Sequence, residues 1–283
     1  MLSDLHLHLR PDDPDASAEE YYSAANAERY REAAQQRGIV ELGVSEHVYR
    51  FAQALRIWRH ELWERFAHDD LDAYCAAVRE QTDLRLGLEV DFVPGREEQI
   101  EQLLDGRAFD YVVGSVHFLG DQALDMDEFS VWEGVSARSP EEVWERYFQT
   151  IAASARSRLY DIIAHPDLVK FWGDPRRVPG GDLRRYYAIA VEAFADAGVA
   201  VELSTAGLRK PAGELYPAPA FLELCVEAGI PVALSSDAHR PAEVGAGYEI
   251  ALELLERLGV DELAVFHGRV RTMVPVGAEQ HAG

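Results

Sequence analysis

Six of the ten histidines in this chain fall into one pattern. His6, His8, His47, His117, His165 and His239 each lie at or near the end of a short apolar run, in "LSDLHLH", "IVELGVSEH", "YVVGSVHF", "DIIAHPD" and "PVALSSDAH". Acidic residues accompany them: Glu46 beside His47, Glu89 and Asp91 in "LRLGLEVDF", Asp167 after His165, and Asp237 before His239. Imidazoles and carboxylates are ligands of zinc, iron and manganese, and a carboxylate can bridge two ions. The His-x-His spacing puts His6 and His8 on one face of an extended strand, where both rings can reach one ion. The set exceeds what a single four-coordinate zinc needs, so two or three divalent ions are expected. Without cations, carboxylates packed this closely would repel one another and shift their pKa values upward. Asp91, one residue past Glu89, should point to the other side of the strand and cap a helix or hold backbone. Asp167 should orient His165 or a loop. His60, His68, His267 and His281 read as hydrogen-bonded or surface residues.

Positioning such residues requires a regular scaffold, and the chain supplies a repeating one. Candidate strands cover 2–8, 39–47, 84–92, 111–118, 161–167, 199–205 and 231–239. Helical spacing of apolar residues marks 18–37, 51–82 (as two helices), 96–105, 140–158, 181–197, 217–229 and 242–258. Several strands lack polar alternation, as strands buried on both faces do. Seven strand–helix units predict a closed or nearly closed (β/α) barrel forming a single domain over 1–283, with a doubly wound open sheet as the alternative. The histidines then gather at the C-terminal ends of the strands, where barrel enzymes carry their active sites. The apolar run 263–276 reads as an extra strand or a closing tail.

Bulk properties narrow the function. The 283 residues suffice for a substantial core. Lys and Arg number 27 against 50 Asp and Glu, for a formal net charge of −23. Such a surface repels nucleic-acid backbones and anionic membranes, so an extended nucleic-acid partner is not expected. No apolar run can span a bilayer, and no secretory leader is read at the N-terminus. Cys75 and Cys225 do not make a disulfide framework, which suits a reduced, cytoplasmic protein.

The series "DLHLH", "SEH", "GLEVDF", "GSVHF", "IAHPDL" and "SSDAHRP" resembles the PHP (polymerase and histidinol phosphatase) family over nearly the whole chain, with the motifs in family order. "VELSTAGLRKPAGELYP" and "LEVDFVPGREEQIEQLL" followed by "FDYVVGSVHFL" resemble the histidinol-phosphatase-like subgroup. The resemblance implies a distorted seven-stranded (β/α) barrel with a trinuclear site. On these positions it implies that His6, His8, Glu89 and Asp237 hold one metal. Glu89 bridges to a second, completed by His117 and His165. His47 and His239 hold a third with an acidic or histidine residue of the loop after strand one; Asp13 is the candidate, with Asp12 and Asp15 open. The chain departs from the family pattern at Glu46, where Asp is usual, at Ser204, where Asn is usual, and in "LRPDDPDAS", which lacks a Ser-Asp-Gly form.

This family implies phosphomonoester hydrolysis: ions that grip phosphoryl oxygens and acidify a bridging water, which attacks phosphorus in line. Glu89 would serve as the bridging carboxylate, and Asp237 or His239 would pass a proton to the leaving oxygen. Arg209 and Lys210, after strand six, and Lys170 are the candidates for balancing phosphoryl charge. The expected substrate is L-histidinol phosphate, whose ammonium and imidazole suit acidic or aromatic side chains. The long stretches 51–66 and 131–139, with Trp58, Trp63, Trp132 and Glu133, lie on the metal side and are candidates to contact it. Two alternatives stand beside this one: a phosphoesterase for another small phosphate, such as a nucleotide bisphosphate or an oligonucleotide end, and a non-catalytic metal-binding module.

Overall fold

The computed structural model describes residues 1–134 and 138–277; residues 135–137 of the 131–139 stretch and His281 lie outside the described residues. Seven strands form one parallel sheet in chain order: β1 (Leu2–Asp4), β2 (Ile39–His47), β3 (Arg85–Asp91), β4 (Tyr111–Ser115), β5 (Ile162–Ile163), β6 (Ala200–Ser204) and β7 (Val232–Ser235). The seam between β1 and β7 is nearly closed. Leu7 bridges Ala238 in parallel, the His8 amide donates to the Ala238 carbonyl at 2.8 Å, and the Ser236 amide donates to Asp4 at 3.0 Å. The result is a barrel, and the open-sheet alternative falls.

Several strands are shorter than the sequence suggests, for one physical reason. The ladder between β4 and β5 is two residues long, because the chain beyond Ser115 and Ile163 leaves the sheet to aim His117 and His165 inward. His165 and Asp237 adopt positive φ, 24° and 49°, a region that side chains other than glycine rarely enter. Such strain persists where the surrounding structure imposes it, commonly at functional sites.

The helices on the outside follow the expected order. The stretch 18–37 splits into α1 (Ala18–Tyr21) and α2 (Ala24–Gln36), because the Ser23 hydroxyl caps α2 by accepting from the Asn26 amide. The stretch 51–82 yields short 3₁₀ turns, α3 (Glu61–Phe66) and α4 (Leu71–Gln81). The remaining helices are α5 (Glu97–Leu104), α6 (Pro140–Ser157), α7 (Arg184–Ala197), α8 (Pro219–Glu227) and α9 (Tyr248–Leu258). None of the described helices is long and apolar enough to cross a membrane.

Apolar side chains fill the end of the barrel opposite the histidines. Leu5, Tyr111, Val113 and Ile162 pack with Ala264 and Phe266 of an antiparallel hairpin, β8 (Glu262–His267) and β9 (Val270–Pro275). The Arg269 amide donates to the Asp110 carbonyl and its side chain to Asp161, both at 2.8 Å, anchoring the hairpin just before β4 and β5. The run 263–276 is therefore a plug rather than an eighth barrel strand. The Tyr111 ring crosses the barrel interior so closely that a Cβ at Gly43 or Gly87 would collide with it, which explains glycine at both strand positions.

Candidate metal centre

At the C-terminal rim, the side chains of five strand ends converge on Glu89. His165 Nε2 lies 3.1 Å from Glu89 Oε1, and His117 Nε2 lies 3.6 Å from it. Glu89 Oε2 meets His47 Nδ1 at very short range and lies 3.6 Å from His6 Nε2 and 3.8 Å from His8 Nε2. Asp237 Oδ1 lies 3.3 Å from His8 Nε2 and 3.8 Å from His6 Nε2. Among the described residues, four overlapping groups have ligand atoms close enough to share an ion: His6–His8–Glu89, His6–His165–Asp237, Glu89–His117–His165 and His8–His47–His239.

The donor set fits metal ions on its own evidence. His6 Nε2, both ring nitrogens of His8, His165 Nδ1 and Asp237 Oδ1 are buried with no hydrogen-bond partner, and Glu89 Oε2 has only the close His47 ring. Buried polar groups are nearly always paired, so unpaired atoms pointing at one another mark a place for cations. Electrostatics agrees. Burial opposes charge on Glu89, but His47, His6 and His117 hold its carboxyl well below the usual range. Burial likewise opposes a charged His117, yet Asp91 and Glu89 bring it up to about 10. Burial and the neighbouring His8 push His47 down to about 3.

A further layer fixes the ligands. Asp91 accepts from His117 Nδ1 at 2.8 Å and from the His117 amide, so it orients a ligand ring rather than a helix or backbone alone. Glu202 accepts from His6 Nδ1 at 2.7 Å, from the Ser235 hydroxyl and from the His165 amide, joining three strands. Glu202 was not among the expected residues. Its signal was a lone carboxylate in the apolar run "VAVELST", two residues from Ala200 and hence on the same inward face. Glu46, longer than the usual Asp, reaches the Leu9 and Arg10 amides at 2.7 and 3.1 Å and pairs with buried Arg50. It braces the loop after β1.

That loop settles which aspartate faces the third pair of histidines. Asp12 Oδ2 lies 3.3 Å from His239 Nε2, and Oδ1 lies 3.8 Å from His47 Nε2. Arg50 and the Tyr49 hydroxyl hold Asp12 there at 2.6 and 3.3 Å. Asp13 instead turns back to accept from the Asp15 amide at 3.0 Å. The expectation of Asp13 is corrected to Asp12, because the loop turns away from the rim right after it.

Lys170 is a second correction. Its ammonium is spent on Asp167, Glu214 and the Leu215 carbonyl at 2.9, 2.7 and 2.7 Å, leaving no charge for a phosphate. Asp167 also accepts from the Ala218 amide, so it holds a loop and not His165. Arg209 and Lys210 do reach the rim, lining a cleft with Asp12, Asp237 and His239. Arg209 donates to the Ser236 and Asp237 carbonyls at 2.7 and 3.2 Å, and its buried Nη1 has no partner. Trp63 is core and Trp58 packs on it, while Leu62 and Phe66 of the same stretch line the central cavity. Trp132 and Glu133 do not line that cavity; both lie against Arg177 instead. His60 caps α3 through its Nδ1, and His267 pairs with Asp110. Asp125, also unforeseen, lines the cavity; burial raises its carboxyl, with His117 and His165 pulling the other way.

A parallel barrel with a buried histidine–carboxylate cluster at its C-terminal rim defines a class of metal-centred α/β proteins. The PHP domain model matches residues 6–206, and the chain belongs to that family. It is similar to a probable histidinol-phosphatase of Deinococcus radiodurans, 33% identical over 88% of this chain and 94% of that protein. The histidinol-phosphatase of Bacillus subtilis is 32% identical over 67% of this chain and 75% of its own length. Among solved structures, the histidinol phosphate phosphatase of Lactococcus lactis, solved with zinc, L-histidinol and phosphate, superposes with a TM-score of 0.70. It is 20% identical over 96% of this chain and 98% of that one. A putative histidinol phosphatase from Listeria monocytogenes gives 0.71 over 88% of this chain and 99% of its own. Both share this barrel.

Proposed function

We propose that this chain is a metal-dependent phosphomonoesterase of the histidinol-phosphatase type, converting L-histidinol phosphate and water to L-histidinol and phosphate. The observation that carries this reading is the set of buried, unpaired imidazole and carboxylate atoms around Glu89, with Arg209 and Lys210 beside it. The similarity to histidinol-phosphatases supports the choice of ester. His6, His8, Glu89 and Asp237 would hold one divalent ion; Glu89, His117 and His165 a second; His47, His239 and Asp12 a third. Zinc, manganese or iron suits these donors, and bound ions supply Lewis acidity and a nucleophilic oxygen at neutral pH. Arg209 and Lys210 balance charge on the phosphoryl oxygens. Asp237 or His239, at the edge of the cleft, returns a proton to the leaving oxygen. We assign the whole chain to this one unit, working in the cytoplasm, where unpaired Cys75 and Cys225 stay reduced.

The test is phosphate release from a panel of esters after chelation and restoration of zinc, manganese or iron. Chelation should abolish turnover and one of the metals should restore it. L-histidinol phosphate should exceed phosphoserine, nucleoside 3′,5′-bisphosphates and a 5′-phosphorylated oligonucleotide by a hundredfold or more in kcat/KM, about 2.7 kcal/mol. Preference for another ester would overturn the substrate, and turnover indifferent to chelation would overturn the chemistry.

A further inference from the structure

Above the metal centre the barrel opens into a cavity of about 270 Å³. Tyr49, Phe66, Phe118, Phe171 and Tyr216 give it aromatic walls. Two of its carboxylates, Asp12 and Asp237, face the histidines. The remaining one among the described residues is Asp125. Its Oδ1 is buried and accepts no hydrogen bond, it enters no ion pair among the described residues, and it belongs to none of the four ligand groups.

Asp125 is also held in place. The Leu124 amide donates to the His117 carbonyl at 2.9 Å, and the Trp172 indole donates to the Leu124 carbonyl at 2.7 Å. The neighbouring Ala123 is clamped by Phe129 and Val131 through backbone bonds of 2.8 and 2.9 Å. The backbone at Asp125 is therefore held in the register set by His117, with Oδ1 buried at the cavity wall. A desolvated carboxylate with an open acceptor is matched by a cationic donor, and an aromatic cage strengthens the match.

We propose that Asp125 is a specificity-determining residue: it pairs with the cationic leaving group of the ester and so selects phosphomonoesters of amino alcohols over neutral ones. This rests on the phosphomonoesterase reading above. Phosphate then sits at the metal and Arg209 side, and the ammonium or imidazole at the Asp125 side.

The experiment compares wild type and Asp125→Asn, both metal-loaded, on L-histidinol phosphate, O-phosphoethanolamine and phenyl phosphate. Metal content and binding of the product L-histidinol by calorimetry are measured in parallel. For the cationic ester, Asp125→Asn should lose 50-fold or more in kcat/KM, mostly through KM. The loss on phenyl phosphate should be at least tenfold smaller, metal content should stay unchanged, and L-histidinol binding should weaken in step. Equal losses on all esters with loss of metal would make Asp125 part of the metal site and overturn the proposal, as would an unchanged preference. If wild type ignores histidinol phosphate but prefers phosphoethanolamine to phenyl phosphate, and Asp125→Asn erases that preference, the substrate reading falls while the cation subsite stands. If wild type prefers no cationic ester, the subsite falls too.

Discussion

Glu89, in β3, and Asp110, the residue just before β4, are both carboxylates about 1% exposed, and both are held below their usual range. Asp110, at the plugged end, has three permanent donors, the Arg79 guanidinium at 2.7 Å and the Leu86 and Gly268 amides at 2.9 and 3.1 Å, beside a single exposed ring, His267, at 2.9 Å. Glu89, at the open end, is surrounded by histidines, several with ring nitrogens that have no other partner. A neutral imidazole is a metal ligand, and a bound cation displaces the proton that a neighbouring carboxylate would otherwise hold on the ring. The same buried charge therefore stabilises the fold at one end and awaits cations at the other. The nature of the partners, more than the depth of burial, separates a structural carboxylate from a functional one.

The sharpest way to break that contrast is Glu89→Gln. It should lower kcat/KM by a thousandfold or more, about 4 kcal/mol, and reduce bound metal measured by elemental analysis. The metal-free protein should also melt lower, because the histidines that hold Glu89 below its usual range lose their anionic partner. A variant that keeps full metal and rate would remove Glu89 from the centre. A smaller effect is expected one contact further out. Asp91→Ala frees the His117 ring and should cost about 10- to 100-fold in metal affinity. Asp91→Asn retains an acceptor oxygen for Nδ1 and should recover most of it. If both variants bind metal alike, the Asp91–His117 bond does not position the ring.

The smallest effect belongs to the other end. Asp110→Asn should lower unfolding free energy at neutral pH by about 1–2 kcal/mol and leave kcat/KM within twofold, measured by urea denaturation and turnover. The sign with pH follows from the direction of the shift. Arg79 and the backbone amides depress the folded-state value below the ordinary 3.8, so the stabilisation is present above that value and lost as pH falls through the folded value. Below about pH 4 the variant should therefore lose stability less steeply than wild type. A matching fall in turnover would mean that the two ends are coupled.

Much of the barrel and its centre is legible in the sequence because local chemistry dictates it. Short apolar runs closed by His6, His8, His47, His117, His165 and Asp237–Ala238–His239 require strands that deliver polar side chains to one rim. Five such runs among seven candidate strands, separated by amphipathic helices, point to a barrel, while the open sheet was excluded only by the seam between β1 and β7. Other features depended on positions distant in the chain. Glu202 in β6 shows locally only as a lone carboxylate in an apolar run; that it holds the His6 ring, 196 residues away, is decided by the closed barrel. Asp12 and Asp13 are identical neighbours, separated only by where Arg50 and Tyr49 pull the loop. Lys170 looked free for a phosphate until Glu214 closed on it from another loop. The sequence by itself determined which residue types reach the rim, since strand periodicity and apolar spacing are properties of neighbours. Tertiary structure decided which of them meet, because hydrogen bonds and ion pairs of a few ångströms join residues that the chain keeps far apart.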